Sequence, residues 1–132
     1  MEIAVLGIGA MGKTHASIYK NFRDVDSLII VGRDEEKTKG LAGELDIRGT
    51  TKLSEVLEDE SISVVDVCVP THLHKEFVIS ALDNNKHIFL EVPISYILDD
   101  AMEMVRKAKA TKKVFLVAQL MRSVAEISYV AE

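Results

Sequence analysis

Apolar and polar positions change period along the chain in a way that predicts its elements. Ile3, Ala4, Val5 and Leu6 form a short apolar run with β-branched members, which reads as a strand. A helical pattern follows from about Met11 to Phe22, with Met11, His15, Ile18 and Phe22 as its buried stripe. Leu28 to Val31 is wholly apolar, as suits a strand covered on both faces. A helix is predicted from Glu35 to Leu45, with Leu41 and Leu45 inward, then a short edge strand from Ile47 to Thr51. Leu53, Val56 and Leu57 mark a short helix with Thr51 as its nearby cap, and Glu58, Asp59 and Glu60 read as a solvated turn.

The run Val64 to Val69 predicts another buried strand, broken by Pro70. Thr71 to His74 then form a loop at its carboxyl end. Phe77, Val78, Ala81 and Leu82 give one helix face, ended by Asp83, Asn84 and Asn85. A strand follows from His87 to Glu91. Leu98, Met102, Val105 and Ala108 space a long helix to about Thr111, capped by Asp99 or Ser95, and Val114 to Ala118 is the last strand. Six strands alternating with helices predict an α/β protein: one doubly wound parallel sheet, in the order 3-2-1-4-5-6 that right-handed crossovers impose. Residues 1–120 are expected to form this domain, and residues 121–132 a C-terminal helical segment.

Composition narrows the function. The 132 residues are one domain's worth, and 48% hydrophobic with 28% charged residues is the balance of an ordinary globular protein. A net charge of −5 disfavours a nucleic-acid partner, because phosphate backbones need a basic face. The single cysteine, Cys68, rules out an internal disulfide and fits a reducing compartment. With no apolar run near eighteen residues and no leader pattern, the expected setting is the cytoplasm, away from membranes.

The chemistry starts in the turn after the first strand. Gly7, Ile8, Gly9, Ala10, Met11 and Gly12 spell G-x-G-x-x-G between a strand and a helix, the setting in which that pattern binds a dinucleotide. Gly7 permits the tight turn, Gly9 lets a pyrophosphate reach the backbone, and Gly12 lets the helix approach the sheet. The helix directs its free N–H groups and positive dipole end at the phosphates. About twenty residues on, where NAD sites offer an acid to the ribose, the strand ends in Gly32, Arg33 and Asp34. Glycine leaves room for a 2′-phosphate and Arg33 can pair with it, so NADP is favoured, with NAD as the alternative. Asp34 is better placed to cap the helix that begins at Glu35. His15 reads as a structural, hydrogen-bonded histidine and Cys68 as core. His72 and His74 lack a third ligand nearby, so no metal is expected.

Three further stretches carry a resemblance. Cys68-Val-Pro-Thr-His-Leu-His74, Ala81-Leu-Asp-Asn-Asn-Lys-His87 and Leu90-Glu-Val-Pro93 resemble the Gfo/Idh/MocA family of NAD(P)-dependent oxidoreductases, over nearly the whole chain. The resemblance implies action on a sugar, inositol or related polyol. It also implies a second domain that holds the substrate and a catalytic histidine, and of which this chain carries nothing. It implies that Val69, Pro70, Thr71 and His74 line the nicotinamide ribose. The family's Glu-Lys-Pro falls on Glu91, Val92 and Pro93. Its lysine polarises or protonates the substrate oxygen, and valine can do neither, so no intact catalytic residue is expected. After the last strand the family's Arg-Phe and proline fall on Arg122, Ser123 and about Ala125. The expected function is the dinucleotide-binding domain of such an oxidoreductase, with homo-oligomer formation left open. The alternatives are a non-catalytic dinucleotide-binding sensor and a ligand-free assembly domain.

Overall fold

The computed structural model describes residues 1–119. The segment predicted over 121–132, with Arg122, Ser123 and Ala125, lies outside the described residues. Strands β1 (Glu2–Leu6), β2 (Ser27–Val31), β3 (Arg48–Thr50), β4 (Ile62–Val67), β5 (His87–Leu90) and β6 (Phe115–Val117) alternate with helices α1 (Ala10–Tyr19), α2 (Glu35–Leu45), α3 (Ser54–Leu57), α4 (His74–Asp83) and α5 (Leu98–Thr111). All strand pairs are parallel, and the order is β3-β2-β1-β4-β5-β6, as predicted.

Central strand β1 sits between β2 and β4, with Ala4 opposite both Ile29 and Val65. Its alternating side chains feed two cores, because successive residues of a strand point to opposite faces. Ala4 and Leu6 join Val65, Val67, Val78, Leu82, Leu90 and Met104 under α4 and α5. Ile3 and Val5 join Ala16, Leu28, Ile30 and Leu45 under α1 and α2. Strand order reverses between β1 and β4, and in doubly wound sheets the ligand crevice lies beyond the carboxyl ends at that point.

Two helices turn differently from the predicted stripes. On α1, Met11, Ile18 and Phe22 face outward, Phe22 lies beyond the helix end, and Gly12 and Ala16 are buried. Close helix–sheet packing selects the small residues, and the large ones turn to solvent. On α5, Leu98 is 76% and Met102 47% exposed, whereas Met104 and Ala108 are buried. Among the described residues neither α3 nor α5 takes a side-chain cap. The Thr50 hydroxyl, not Thr51, accepts from the Lys52 amide ahead of α3. Ser95 accepts from the Ile97 amide one turn before α5, where Ile97 holds the cap position.

Candidate functional site

Gly7 leaves β1 at φ +114, a conformation L side chains rarely adopt, and its amide donates to the Val31 carbonyl. A Cβ on Gly7 would stand 2.6 Å from the Cys68 carbonyl oxygen, so the turn is wedged against β4. A Cβ on Gly12 would come within 2.0 Å of the Gly7 carbonyl oxygen, which ties the first turn of α1 to the strand end. Gly9 differs: a Cβ there meets nothing within 4 Å. Its missing side chain leaves open space in front of the helix. Among the described residues the amides of Ala10, Met11 and Gly12 have no acceptor, and the first intrahelical bond is Lys13 N–H to the Gly9 carbonyl. No side chain caps this terminus. Three amides without a protein acceptor, beside the open space over Gly9, fit a pyrophosphate, and α1 adds its positive dipole end.

Beside this cradle lies an open cleft of about 590 Å³ lined by Ile8, Gly9, Lys13, Arg33, Asp34 and Lys37. Asp34 caps α2 as expected. Its carboxylate accepts from the Lys37 amide at 3.0 Å, and that bond, first among the causes, holds its pKa below the ordinary value. Arg33 is exposed and makes no ion pair among the described residues. Gly32 requires a correction. A Cβ there would fall 2.2 Å from Thr38 Oγ1 and 2.8 Å from the Ile8 side chain, so packing already fills the room assigned to a 2′-phosphate. That hydroxyl is pinned in place by donating to the Asp34 carbonyl.

At the far side of the crevice, Val69, Pro70 and Thr71 follow β4, and Thr71 opens a short 3-10 turn. Pro70 is exposed, and Val69 and Thr71 are half-buried. His74, expected at the nicotinamide, is 1% exposed. Its Nε2 lies 2.9 Å from the Val69 carbonyl and its Nδ1 3.1 Å from that of Pro93. With both ring nitrogens engaged by the backbone, His74 braces the two loops from within and offers the crevice no free polar atom. His72 is exposed.

Glu91 leads to a network that the sequence does not bring together. Its Oε1 lies 3.1 Å from His15 Nε2. The other ring nitrogen, Nδ1, lies 2.8 Å from Oδ2 of Asp66, a wholly buried carboxylate in β4. Asp66 also accepts from the Tyr19 hydroxyl at 2.8 Å and the Cys68 thiol at 3.3 Å. The hydrogen bond to Asp66 raises the His15 pKa above 6.5, against the opposing effect of burial. Burial, reinforced by the Asp66 charge, pushes the Tyr19 hydroxyl and the Cys68 thiol well up. His15, Asp66 and Cys68 bring potential ligand atoms within 4.8 Å of one another. Their mutual hydrogen bonds account for that closeness, and the thiol holds its proton. His15 is structural and hydrogen-bonded, as expected, but Cys68 belongs to this network rather than only to the core. Asp66 was hidden because the run Val64 to Val69 around it is otherwise apolar; a carboxylate inside a buried run was its one signal.

Comparison with known proteins agrees with this geometry. Residues 1–119 match the family model described as an oxidoreductase family with an NAD-binding Rossmann fold, Gfo/Idh/MocA. A 4-carboxy-2-hydroxymuconate-6-semialdehyde dehydrogenase from Sphingobium is 31% identical over 92% of this chain and 39% of its own length. A myo-inositol 2-dehydrogenase from Thermotoga maritima is 32% identical over 83% of this chain and 33% of its own. The crystal structure of a probable dehydrogenase from T. maritima superposes with a TM-score of 0.87 at 28% identity, covering 92% of this chain and 37% of that one. The chain thus spans between a third and two-fifths of these relatives. Among the described residues no helix is long and apolar enough to cross a membrane.

Proposed function

The chain belongs to the Gfo/Idh/MocA oxidoreductase family as its NAD-binding Rossmann domain, and on that premise we propose that it serves an NADP-preferring oxidoreductase of a sugar, inositol or related polyol. The observation that carries the reading is the uncapped start of α1, where three amides lack an acceptor among the described residues beside the open space over Gly9. Ala10, Met11 and Gly12 hold the pyrophosphate through those amides, with Gly7, Ile8 and Gly9 shaping the turn. Arg33 takes the 2′-phosphate. What supports this is its guanidinium, exposed and without an ion pair among the described residues, beside an Asp34 already committed to its cap. Gly32 then acts by letting Ile8 and Thr38 close behind the adenosine. Val69, Pro70 and Thr71 line the nicotinamide ribose, with His74 bracing that loop and Glu91 at the nicotinamide end.

The bound dinucleotide supplies the hydride acceptor or donor. This chain's residues bind it, orient it and shield one side of it. Val92, 42% exposed beside Glu91, can neither donate nor accept a proton. Proton transfer to substrate therefore falls to another group, in the part of the enzyme the relatives' remaining length represents. The polyol class rests on the inositol relative, and the semialdehyde dehydrogenase marks how far the chemistry can range.

Thermal unfolding with NADPH and NADH tests the reading. Ligand at about one hundred times its Kd adds roughly 2.7 kcal/mol, a rise of several degrees for a domain of this size. The larger shift is expected with NADPH, and Arg33→Ala should weaken NADPH more than NADH. Equal losses would remove the phosphate role of Arg33, and no shift with either would remove the dinucleotide reading.

A further inference from the structure

We infer that His15 is a positioning residue, anchored on buried Asp66, whose second ring proton fixes the Glu91 carboxylate at the nicotinamide end of the crevice. The inference rests on the dinucleotide reading above. Its basis is that one imidazole stands between two carboxylates: Nδ1 is 2.8 Å from Asp66 and Nε2 is 3.1 Å from Glu91. Ionised carboxylates only accept, and only a ring protonated on both nitrogens serves both. Asp66 is fully buried and cannot turn to solvent, so it holds the Nδ1 side of the ring in one orientation. The Phe89 ring, 5.7 Å away, and the Tyr19 ring, 6.1 Å away, flank the imidazole.

The charged and titratable groups around His15 are few. Its own helix presents Tyr19, β4 and the residue after it present Asp66 and Cys68, and the end of β5 presents Glu91. No lysine or arginine pairs with Asp66 or Glu91 among the described residues. His15 is therefore the local cation. Glu91 Oε2 also lies 3.3 Å from the Val92 amide, so both carboxylate oxygens are engaged. The second carboxylate oxygen is thereby turned toward the backbone of the crevice wall rather than free to sweep it. When His15 loses its second proton, Nε2 becomes an acceptor facing a carboxylate, and the hold on Glu91 is lost. Glu91 then keeps only the longer contact from the Val92 amide and is less firmly held in the orientation that meets the nicotinamide ribose. The adenosine half of the site, over β1 and β2, is untouched by that change.

The test is the Kd of NADPH, NADH and adenosine 2′,5′-bisphosphate from about pH 6 to 9, in the wild-type protein, His15→Ala, His15→Gln and Glu91→Gln. Adenosine 2′,5′-bisphosphate lacks the nicotinamide half. In the wild type, affinity for whichever dinucleotide binds should fall about tenfold as His15 deprotonates, the size of one charged hydrogen bond. His15→Ala should be about tenfold weaker at low pH and flat across the range, while adenosine bisphosphate binds unchanged. His15→Gln should recover part of the affinity without a pH dependence, since its amide donates and does not titrate. Glu91→Gln should remove the pH dependence and keep the fold, which decides the matter if His15→Ala unfolds. Equal weakening of all ligands by His15→Ala would reduce His15 to a fold residue and overturn the inference, as would a flat wild-type profile. Bisphosphate binding without dinucleotide binding would overturn it while leaving the adenosine site standing. Failure of every ligand would overturn the dinucleotide reading itself.

Discussion

Gly9 and Gly12 stand three residues apart and lack a side chain for opposite reasons. A methyl on Gly12 collides with the Gly7 carbonyl oxygen at 2.0 Å, and one on Gly9 meets no protein atom. Gly12→Ala should lower stability by about 1–3 kcal/mol through overpacking, read by urea unfolding. Gly9→Ala should leave the unfolding midpoint unchanged and weaken dinucleotide binding, read by the ligand-induced thermal shift. An unchanged ligand shift in Gly9→Ala would mean that no phosphate approaches that backbone. Both glycines are legible in the sequence because G-x-G-x-x-G carries its own spacing. Gly32 is only half legible: its place at the strand end is plain, but Thr38 and Ile8 come from other turns to fill its space. Gly32→Ala should therefore damage stability, and NADH and NADPH affinity alike, where Arg33→Ala discriminates between them.

At the scale of elements, the alternation of strands and helices follows from the periodicity, while the rotation of a helix on the sheet does not. Successive residues stand about 100° apart, and the apolar residues Leu98, Ala101, Met102, Met104, Val105 and Ala108 spread α5's apolar surface over more than one stripe, so rotation stays open. On α5 the sequence offers Leu98, Met102, Val105 and Ala108, and packing selects Met104 and Ala108. Met104→Ala should cost about 2–5 kcal/mol of unfolding free energy, and Met102→Ala less than about 0.5 kcal/mol. Denaturant titration separates the two, and the reverse order would show that α5 sits in the predicted register. On α1 the same selection favours Gly12 and Ala16, and leaves Met11 and Ile18 outside. The exchange brings α1 close enough for His15 and Tyr19 to reach Asp66 in β4.

For the whole molecule, that contact makes stability depend on pH. The folded-state pKa of His15 is raised above 6.5, chiefly by its hydrogen bond to Asp66. The folded state thus holds a proton that the unfolded chain releases earlier. The resulting stabilisation is fully present below about pH 6.5 and is lost as pH rises through the raised value. Unfolding free energy should fall over that window in the wild type, and His15→Ala should lose that part of the slope. A wild-type curve with the same slope as His15→Ala would mean that the ring is not held as a cation.

The sequence by itself determined the α/β class, the strand order, the phosphate turn and the Asp34 cap. Each depends on neighbours within one element or one turn, on the handedness of parallel crossovers, or on a pattern with fixed spacing. Only the tertiary structure decided which helix faces are buried, where the space around Gly32 goes, and that His74 is a brace. It alone joined His15, Tyr19, Asp66, Cys68 and Glu91 into one network, from residues as far as 76 positions apart. Such a network depends on how closely α1 settles on β4 and β5, a distance set by packing between elements that are remote along the chain.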